Sequence, residues 1–473
     1  MDGPTTTTPD AGDRPGSARV AAYPLLYLVA EGDRPSARGA RYGLYQIDEV
    51  VIGRGSIREA RRESQGGVRR LFLQVPGRYL SSLHARLQRV GDEWLLEDGR
   101  STNGSFVNGE RVTRRSLRPS DVIELGHKHF LLSTAEPAPA GMNPDLDGEA
   151  LDGQPGMTTL IPMLAQEFSA LRRIAATALS VVLLGETGTG KELLAAAVHG
   201  ISGRKGPLVP VNCGALTATL AESQLFGHKR GAFSGATRDE PGFLRSSDLG
   251  TLLLDEVGDL PEAMQSILLR ALQDLRVVPV GSAQAHKIDV RFIAATHKDI
   301  PALVDAGQFR RDLWARLNGF TLRVPPLRER KPDLGLLIAD LLSKHAGGSK
   351  LTIAPDAIRA LLAHDWPSNV RELEQCLLRS IALGSESVIQ RADLPPEIGA
   401  KTGHAGNGAV PGTSRVPESA WPEADNELRS LLVQRLEEHQ GNVSEVARSF
   451  GKARVQIQRW MKRFGVQPGQ FRK

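Results

Sequence analysis

Residues 181–192, VVLLGETGTGKE, combine an apolar strand, a glycine-rich turn and the start of a helix. Glycines allow successive backbone N–H groups to converge on phosphate oxygens, and the N-terminus of the helix adds the positive end of its dipole. This order of elements is typical of a phosphate-binding loop. We therefore predict that a nucleotide, with Lys191 on its outer phosphates, is bound by Gly185, Glu186, Thr187, Gly188, Thr189, Gly190, Lys191 and Glu192.

Two carboxylates end a second apolar strand, TLLLDE, at residues 251–256. Because Glu192 stands where the general pattern has Ser or Thr, Mg²⁺ depends on ligands elsewhere, and Asp255 and Glu256 are the metal candidates. We predict that Asp255 holds the ion, directly or through water, and that Glu256 polarises the attacking water. The alternative is a pair of solvated acids that happen to follow a strand.

Polar residues further along the chain extend this candidate site. The strand DVRFIAAT ends at Thr296 and His297, which we predict to sense the γ-phosphate, although a lone histidine is more often structural. The segment FRRDLWARL contains Arg310 and Arg316. Two arginines so close together in a nucleotide-binding domain indicate fingers that reach the γ-phosphate of a neighbouring subunit, and surface charges are the alternative.

The segment QLFGHKRGAFSGA, residues 224–236, raises a different question. A stretch this rich in glycine forms neither a good helix interior nor a good strand, so we predict an irregular surface loop. Phe233 is then an exposed ring at its tip. One exposed apolar residue needs no function, so its role depends on the rest of the chain.

The chain length of 473 residues exceeds what one hydrophobic core fills and predicts about three domains. Segments rich in Pro, Gly and Ala predict linkers, and the first twenty residues have the composition of a disordered tail. The predicted division is a tail at 1–20, an all-β sandwich at 21–135, a linker at 136–157, an α/β nucleotide-binding part at 158–330, a helical lid at 331–400, a linker at 401–422 and a helical domain at 423–473.

Composition narrows the class of protein further. Hydrophobic content of 40% and charged content of 24% are ordinary for a soluble protein, and the net charge of +5 leans weakly towards a polyanionic partner. The two cysteines, Cys213 and Cys376, argue against a disulfide framework and fit a reducing cytoplasm, which is the expected location. The apolar run at 20–30 contains Pro24 and lacks a clear cleavage site, so it predicts a first strand rather than a signal peptide. No membrane partner is expected.

The predicted N-terminal sandwich contains groups suited to binding a phosphorylated peptide. Arg54 offers charge-assisted donors to a phosphate, Ser81 and Thr102 offer hydroxyls, and Asn103 can bond the peptide backbone. We add Ser82 to this set and expect His84 to brace the loop. The basic insertion REARRESQGGVRR, residues 58–70, is interpreted as a solvated loop, with a wider peptide selectivity as the alternative.

The C-terminal segment predicts three helices with helix-turn-helix geometry. Leu428, Leu431, Leu432 and Leu436 form one apolar stripe, Asn442 caps the second helix, Gly451 makes the turn, and the third helix buries Ile457, Met461 and Phe464. A basic bundle that does not bind DNA is the alternative. The residues predicted to contact bases or phosphates are Lys452, Arg454, Gln456, Gln458, Arg459, Lys462 and Arg463.

The central block resembles the AAA+ ATPase domain of bacterial enhancer-binding proteins, which activate RNA polymerase holding sigma-54. The motifs that carry this resemblance are GETGTGKE, GAFSGA, LLLDE, FRRDLWARL, PPLRER and WPSNVREL. It implies ATP and Mg²⁺ as cofactors and makes Glu192 the family's own form. It also implies that Asn212 pairs with Glu256 as a switch, that Arg371 in the lid senses nucleotide, and that Arg310 and Arg316 act in trans within a ring, expected as a hexamer.

By the same resemblance, the GAFSGA loop contacts sigma-54 through Gly231, Ala232, Phe233, Ser234, Gly235 and Ala236. Position 234 is Ser here and usually Thr in that family. The N-terminal block resembles a forkhead-associated (FHA) domain, which implies phosphothreonine peptides as ligands. The C-terminal block resembles the Fis-type DNA-binding domain, from which Lys452 and Ala453 depart.

Together these patterns predict a phosphopeptide-gated ATPase that activates sigma-54-dependent transcription. The expected partners are sigma-54 RNA polymerase, double-stranded DNA upstream of promoters, further copies of the chain, and a phosphothreonine protein from a Ser/Thr kinase pathway. Two alternatives stay open. One is a DNA-binding AAA+ regulator that does not engage sigma-54, and the other is a scaffold that binds phosphopeptides and has a dead ATPase.

Overall fold

The computed structural model describes residues 20–151, 154–216, 221–345, 351–384, 387–398, 432–440, 442–450 and 457. The chain forms two compact units, Met1–Thr402 and Gly403–Lys473. Across these described ranges, no helix is both long enough and apolar enough to cross a membrane.

The N-terminal region is an all-β sandwich, as the sequence predicts. One sheet has the strand order β13-β2-β1-β12-β11-β8-β9 and the other the order β10-β7-β6-β3-β5-β4. Leu26, Ile52, Leu71 and Phe130 are among the fully buried residues that fill the space between the sheets. The strands are β1 Val20–Glu31, β2 Ala40–Gly43, β3 Glu49–Arg54, β4 Glu59–Gln65, β5 Val68–Val75, β6 Ala85–Val90, β7 Glu93–Asp98, β8 Ser105–Val107, β9 Glu110–Val112, β10 Arg114–Leu117, β11 Val122–Leu125, β12 Lys128–Pro139 and β13 Leu146–Asp147.

Strand β1 is buried on both faces, which explains its unbroken apolar run. Successive side chains of a strand point to opposite faces. Leu26 and Leu28 therefore enter the core of the sandwich, whereas Leu25, Tyr27 and Val29 enter a second core that belongs to the lid. From Leu25 to Ala30 neither face meets water, so alternation between apolar and polar residues is absent from this part of the strand.

The basic insertion at 58–70 is a β-hairpin rather than the expected solvated loop. Strands β4 and β5 pair through the whole segment and turn at Gly66 and Gly67, both of which have positive φ. Two of its arginines reach remote carboxylates: Arg58 pairs with Glu31 at 2.5 Å and Asp147 at 2.6 Å, and Arg62 pairs with Asp145. The hairpin is thus tied to other parts of the sandwich.

The same arginines account for structure in the segment expected to be a linker at 136–157. Strand β12 continues to Pro139, and β13 pairs with β2. Asp145 and Asp147 accept the ion pairs from the hairpin. Residues 136–157 are held in place by polar contacts with distant residues. They do not form a core of their own, so the segment needs no hydrophobic periodicity.

The nucleotide-binding part contains a five-stranded parallel sheet with the order β15-β16-β19-β14-β20, and this confirms the predicted α/β fold. Helices cover both faces, so the middle residues of the central strands are apolar. Its elements are α1 Pro162–Ala175, β14 Val181–Leu184, α2 Lys191–Ser202, β15 Leu208–Asn212, α3 Ala221–Phe226, α4 Gly242–Ser246, β16 Thr251–Asp255, α5 Glu262–Asp274, β17 Arg276–Val277, β18 His286–Lys287, β19 Arg291–Thr296, α6 Ile300–Asp305, α7 Arg311–Leu317 and β20 Phe320–Arg323.

The lid is helical, as the amphipathic pattern predicts. Trp366, Leu361 and Leu373 are buried at its centre. A short parallel pair of strands closes one side of the lid. Its elements are α8 Leu334–His345, β21 Thr352–Ile353, α9 Pro355–Ala363, α10 Asn369–Leu383 and β22 Val388–Ile389.

The second unit contains the helices α11, residues 432–438, and α12, Val443–Ser449. The Asn442 Oδ1 accepts a hydrogen bond from the Ser444 N–H at 3.2 Å, which confirms the predicted helix cap. Leu432, Leu436 and Ile457 are buried together. The other residues that the helix-turn-helix prediction names lie outside the described residues: Leu428, Leu431, Gly451, Lys452, Ala453, Arg454, Gln456, Gln458, Arg459, Met461, Lys462, Arg463 and Phe464.

A buried histidine lies where the sandwich meets helix α9. His129 on β12 is fully buried beside Glu124, which pairs with Arg359 of the lid. Burial lowers the pKa of His129 to about 3, and the charge of Arg359, followed by those of His127 and Lys128, adds to the effect. Burial also raises the pKa of Glu124, against the opposing effect of Arg359. The histidine is therefore neutral in the folded protein at every physiological pH.

We expect His129 to make the protein less stable as the pH falls. Its folded pKa lies below its unfolded value, so the unfolded chain binds the extra proton, and stability present above about pH 6.5 is lost on acidification. Between pH 6.5 and 5.5, urea unfolding of His129→Gln should depend less steeply on pH than that of the wild type, by up to about 1.4 kcal/mol per pH unit. Equal slopes for the two proteins would contradict this account.

Candidate functional site

The predicted nucleotide loop, residues 185–192, connects β14 to α2. Gly188 and Gly190 have φ of +80° and +98°, a region that other L-residues rarely adopt. The Lys191 side chain folds back over the loop, and its Nζ donates to the Gly185 carbonyl at 2.8 Å and the Glu186 carbonyl at 3.1 Å. Burial lowers the pKa of Lys191, and Glu256 and Asp255 oppose this effect. The loop therefore encloses the Lys191 ammonium, and a bound anion stabilises this buried charge.

Asp255 and Glu256 lie at the carboxyl edge of the sheet, next to this loop. Burial raises the pKa of Asp255, the neighbouring Glu256 raises it further, and Lys191 opposes both. Among the described residues, no group of three or more His, Cys, Asp or Glu side chains is arranged to hold a metal ion. Two adjacent carboxylates nevertheless suit Mg²⁺, which prefers oxygen ligands and completes its shell with water and substrate phosphates.

The bonding of Glu256 differs from the predicted switch. Its Oε2 bonds to the His297 Nδ1 at 2.8 Å, whereas the Asn212 Oδ1 accepts from the Gly214 N–H at 2.9 Å. Asn212 is thus engaged as the cap of a short 3-10 helix, although it stands beside Asp255 in the strand register. Thr296 is fully buried, and its hydroxyl accepts from the Lys298 N–H at 3.1 Å. His297, expected to sense the γ-phosphate, here orients the carboxylate.

The lid contacts the nucleotide loop through two residues that the sequence did not single out. The buried Asn369 accepts from the Leu327 N–H at 2.8 Å and donates to the Thr187 carbonyl at 3.0 Å. Arg328 forms two hydrogen bonds with Glu186, at 2.6 and 2.9 Å, and lowers the pKa of that carboxyl. Their only sequence signal is their place in PPLRER and WPSNVREL, since spacing alone does not reveal which distant loop they contact.

Arg371, predicted to sense nucleotide, lies at this same contact. Its backbone N–H donates to the Gly188 carbonyl at 3.3 Å, and its side chain is exposed. Its charge contributes to the lowered pKa of Lys191, which places the two cations in one electrostatic environment. The position is compatible with a phosphate ligand, and the sensing role stays a prediction.

The predicted finger arginines lie at helix α7, and both are exposed. Arg310 donates to the Asp312 carboxylate at 2.7 and 3.0 Å and to the Ser266 hydroxyl at 3.0 Å. Arg316 donates to the Leu272 carbonyl at 3.4 Å. These bonds do not bring either guanidinium to the nucleotide loop of its own chain.

The GAFSGA loop has a fixed base and an exposed tip. The backbone of His228 exchanges two hydrogen bonds with Glu240, at 2.9 and 3.0 Å, and Lys229 N–H donates to the Val280 carbonyl at 3.0 Å. The Phe233 ring is 38% exposed and lies 4.9 Å from the His228 ring, so it is less bare than the sequence suggests. Gly231, Ser234 and Gly235 are exposed, Ala232 is half-buried and Ala236 is buried.

The predicted phosphopeptide residues converge at one end of the sandwich. The Arg54 N–H donates to the Ser81 carbonyl at 2.9 Å, and the Ser81 Oγ accepts from the Thr102 N–H at 3.1 Å. Asn103 Nδ2 donates to the Tyr79 carbonyl at 2.7 Å. The side chains of Arg54 and Thr102 are exposed, and so is that of Ser82. A cation and hydroxyl groups therefore share one surface.

His84 braces these loops, as the sequence predicts. Its Nδ1 accepts from the Ser81 N–H and its Nε2 bonds to the Gly104 carbonyl, both at 3.2 Å. This pair of bonds requires the neutral ring with its proton on Nε2. Burial lowers the pKa of His84, which favours that form.

Comparisons with known proteins match three parts of the chain. The family model described as the sigma-54 interaction domain matches residues 158–323, the AAA+ ATPase lid domain matches 328–410, and the FHA domain matches 50–126. These matches confirm an ATPase domain with its lid and an FHA domain.

Curated relatives cover much of the chain. Regulatory protein AtoC of Escherichia coli is 37% identical over 76% of this chain and 75% of its own length. Response regulator protein PilR of Pseudomonas aeruginosa is 38% identical over 73% and 76%, respectively, and the Nif-specific regulatory protein of Azotobacter vinelandii 40% over 63% and 56%. The crystal structure of NtrX from Brucella abortus in complex with ATP is 30% identical, covers 65% of this chain and 69% of its own, and has a TM-score of 0.46.

We expect Glu256→Gln to retain nucleotide affinity and to lower kcat by about 10²-fold or more, because the amide cannot polarise water. His297→Ala removes one hydrogen bond to that carboxylate and should cost about tenfold, with KM little changed. Steady-state phosphate release and binding of a fluorescent ATP analogue measure both effects. Turnover at the wild-type rate in Glu256→Gln would exclude the assigned role, and equal losses in the two variants would place His297 directly in the chemistry.

Proposed function

Since the chain belongs to the family of bacterial regulators that carry the sigma-54 interaction domain, we propose that it hydrolyses ATP in a ring to remodel sigma-54 RNA polymerase, under control of phosphothreonine binding to its FHA domain. The observation that carries this proposal is the combination, in one domain, of Lys191, Asp255 and Glu256 in one electrostatic environment and the exposed GAFSGA loop. Neither feature alone distinguishes an activator from other ATPases.

The hydrolytic step follows from the arrangement of three side chains. Lys191, held over the nucleotide loop, binds the outer phosphates. Asp255 would hold Mg²⁺, and the ion would supply positive charge to neutralise the phosphates. Glu256, oriented by His297, accepts a proton from the attacking water. Burial lowers the pKa of Lys191 and raises the pKa of Asp255, so each charged form is favoured by a nearby partner of opposite charge, phosphate for Lys191 and Mg²⁺ for Asp255.

The ring is proposed because the bonds of the finger arginines do not involve the nucleotide loop of their own chain. Arg310 and Arg316 are exposed, and their bonds involve Asp312, Ser266 and the Leu272 carbonyl. An arginine supplied to a neighbouring subunit stabilises charge on the γ-phosphate in the transition state. By resemblance to the family, six subunits form the ring, and Asn212 exchanges its backbone bond for Glu256 during the cycle.

The GAFSGA loop is proposed to contact sigma-54. Its base is fixed by backbone bonds to Glu240 and Val280, so a displacement of the domain is transmitted to the tip. At the tip, Phe233 offers an aromatic ring and Ser234 a hydroxyl. Aromatic side chains often act as anchors at protein interfaces.

DNA binding is assigned to the C-terminal domain by its predicted helix-turn-helix. Asn442 and the packing of Leu432, Leu436 and Ile457 support a compact helical bundle there. The basic residues at 452–463 are proposed to hold phosphates and read bases in DNA upstream of promoters.

Phe233→Ala should separate ATP hydrolysis from transcription activation. The change leaves the nucleotide loop, the carboxylates and the arginines intact, so ATPase activity and ring assembly should persist. It removes an interface anchor of the kind that contributes about 2 kcal/mol or more, so open-complex formation with sigma-54 polymerase should fall at least about 30-fold. Ser234→Thr is the matched control, since it retains the hydroxyl and should activate normally.

Both activities are measured on the same preparations. Full activation by Phe233→Ala would favour a DNA-binding regulator that does not engage sigma-54. Absence of ATPase activity in the wild-type protein would instead favour a phosphopeptide-binding scaffold.

Arg54→Ala should abolish binding of a phosphothreonine peptide. A fixed cation faces a phosphate charge near −2, and charge-assisted hydrogen bonds of this kind are among the strongest in proteins. Calorimetry with a degenerate peptide library centred on phosphothreonine should show binding by the wild type and none by Arg54→Ala. Arg78→Ala, which removes an exposed arginine that stacks on Tyr79, is the matched control and should retain binding. Equal affinity for the unphosphorylated library would exclude gating by phosphothreonine.

A further inference from the structure

The outer face of the FHA domain is part of the core of the ATPase lid. Leu25, Tyr27 and Val29 project from strand β1 into the cluster that contains Leu334 and Trp366, and these residues are nearly or completely buried. A surface strand of an independent sandwich would present polar side chains on this face. Here the apolar face of β1 packs against the lid, and Leu160, Leu146 and Leu151 complete the same cluster.

We propose that this docked face, formed by β1 and by α8, β21 and α9 of the lid, makes the FHA domain a fixed part of the ATPase and links phosphopeptide occupancy to nucleotide affinity. The linkage rests on the proposed phosphothreonine binding, whereas the docking itself does not.

At the docked face the two backbones are in direct contact. A Cβ at Gly335, on α8, would lie 1.7 Å from the Val29 carbonyl oxygen, and one at Gly32 would lie 2.6 Å from the Ile353 carbonyl oxygen. The Ile353 N–H donates to the Gly32 carbonyl at 2.7 Å. Contacts this close leave no room for a side chain between the two backbones.

Polar contacts surround this apolar centre. Arg38 pairs with Asp340 of α8 at 2.7 Å, and Arg359 of α9 pairs with the buried Glu124. The Arg41 guanidinium donates to the Leu160 carbonyl at 2.7 Å. Both α8 and α9 are therefore held by groups of the FHA domain.

From the docked face, a short segment leads to the nucleotide loop. Asp333, fully buried at the start of α8, accepts from Leu160 N–H at 2.7 Å and from Arg330 at 2.8 and 3.0 Å. Arg328, two residues before Arg330, forms the ion pair with Glu186 of the nucleotide loop. A movement of the lid on nucleotide binding therefore strains the contacts at the docked face.

A second series of contacts leads from the docked face to the phosphopeptide end. Asn103 bonds to the Tyr79 carbonyl, and the Tyr79 ring stacks on His127 with centroids 3.9 Å apart. The His127 carbonyl accepts from Gly32 N–H at 2.8 Å, and Gly32 in turn accepts from Ile353 of the lid. A phosphopeptide that hydrogen-bonds to Asn103 therefore perturbs Tyr79 and, through His127 and Gly32, the residues that pack against the lid.

Amide hydrogen exchange of the full-length protein tests the docking without a phosphopeptide. ADP should slow exchange in β1 by about threefold or more, because ligand binding stabilises every element that opens together with the site. The β6–β7 hairpin, in the opposite sheet, should change less. Unaltered exchange in β1, while the nucleotide loop becomes protected, would overturn the docking.

Gly335→Ala is the variant that separates the two parts. Alanine favours the helix locally, yet its Cβ meets the Val29 carbonyl, so the docked face should open and the effect of ADP on β1 should disappear. Gly200→Ala in α2 is the matched control, since a Cβ there meets nothing within 4 Å. Asp340→Arg is a milder disruption that should weaken the slowing of exchange in β1 by ADP. Combining Asp340→Arg with Arg38→Asp re-forms the ion pair with reversed charges and should restore that slowing.

Calorimetry then tests the linkage by its reciprocity. Saturating ADP should change the affinity for the phosphothreonine library by about fivefold or more, the peptide should change the affinity for ADP by the same factor, and Gly335→Ala should bring that factor to one. Peptide binding that is indifferent to ADP in the wild type would overturn the linkage. If no phosphopeptide binds in either state, the proposed gating fails, and the exchange experiment alone decides the docking.

Discussion

The contact between Gly188 and the start of helix α10 is the constraint on which the rest of the molecule depends. The Gly188 carbonyl accepts hydrogen bonds from Val370 and Arg371, and a Cβ at this glycine would lie 2.2 Å from the Ser368 carbonyl oxygen. The nucleotide loop and the lid backbone are therefore in direct contact, with no room for a side chain between them. Asn369 and Arg328 add side-chain bonds to the same loop, so loop and lid form one structural element.

This constraint gives the site its electrostatic character. Lys191 is buried by the surrounding backbone, and its pKa falls, whereas the half-buried Asp255 has its pKa raised. Both shifts have burial as their main cause, and each group is most stable when a partner of opposite charge is close. A nucleotide phosphate with Mg²⁺ would supply both partners at once. The polar residues around them, His297 for Glu256 and Arg328 for Glu186, hold the side chains in place for that ligand.

Because strand β1 packs against the lid, the FHA domain shares a hydrophobic core with the ATPase and is not joined to it by a linker alone. An independent sandwich needs only the core between its two sheets. In this protein strand β1 serves two cores, and the polar segment after β12 is tied back by Arg58 and Arg62. The result is one continuous set of contacts from the proposed phosphopeptide end to the nucleotide loop. Water is excluded from the contact between sandwich and lid, where His129 is fully buried.

The sequence by itself determined the features that depend on neighbours along the chain. The nucleotide loop between β14 and α2, the carboxylates that end β16, the Asn442 cap and the β-sandwich motifs are all set by local spacing and backbone preference, and the structure places them as expected. Tertiary structure decided which distant groups meet: Glu256 with His297 and not Asn212, Glu186 with Arg328, Asp145 with Arg62, and the outer face of β1 with the lid. Hydrogen bonds and apolar contacts between remote segments are selected by how whole layers pack, and the spacing of residues in the sequence contains no information about that geometry.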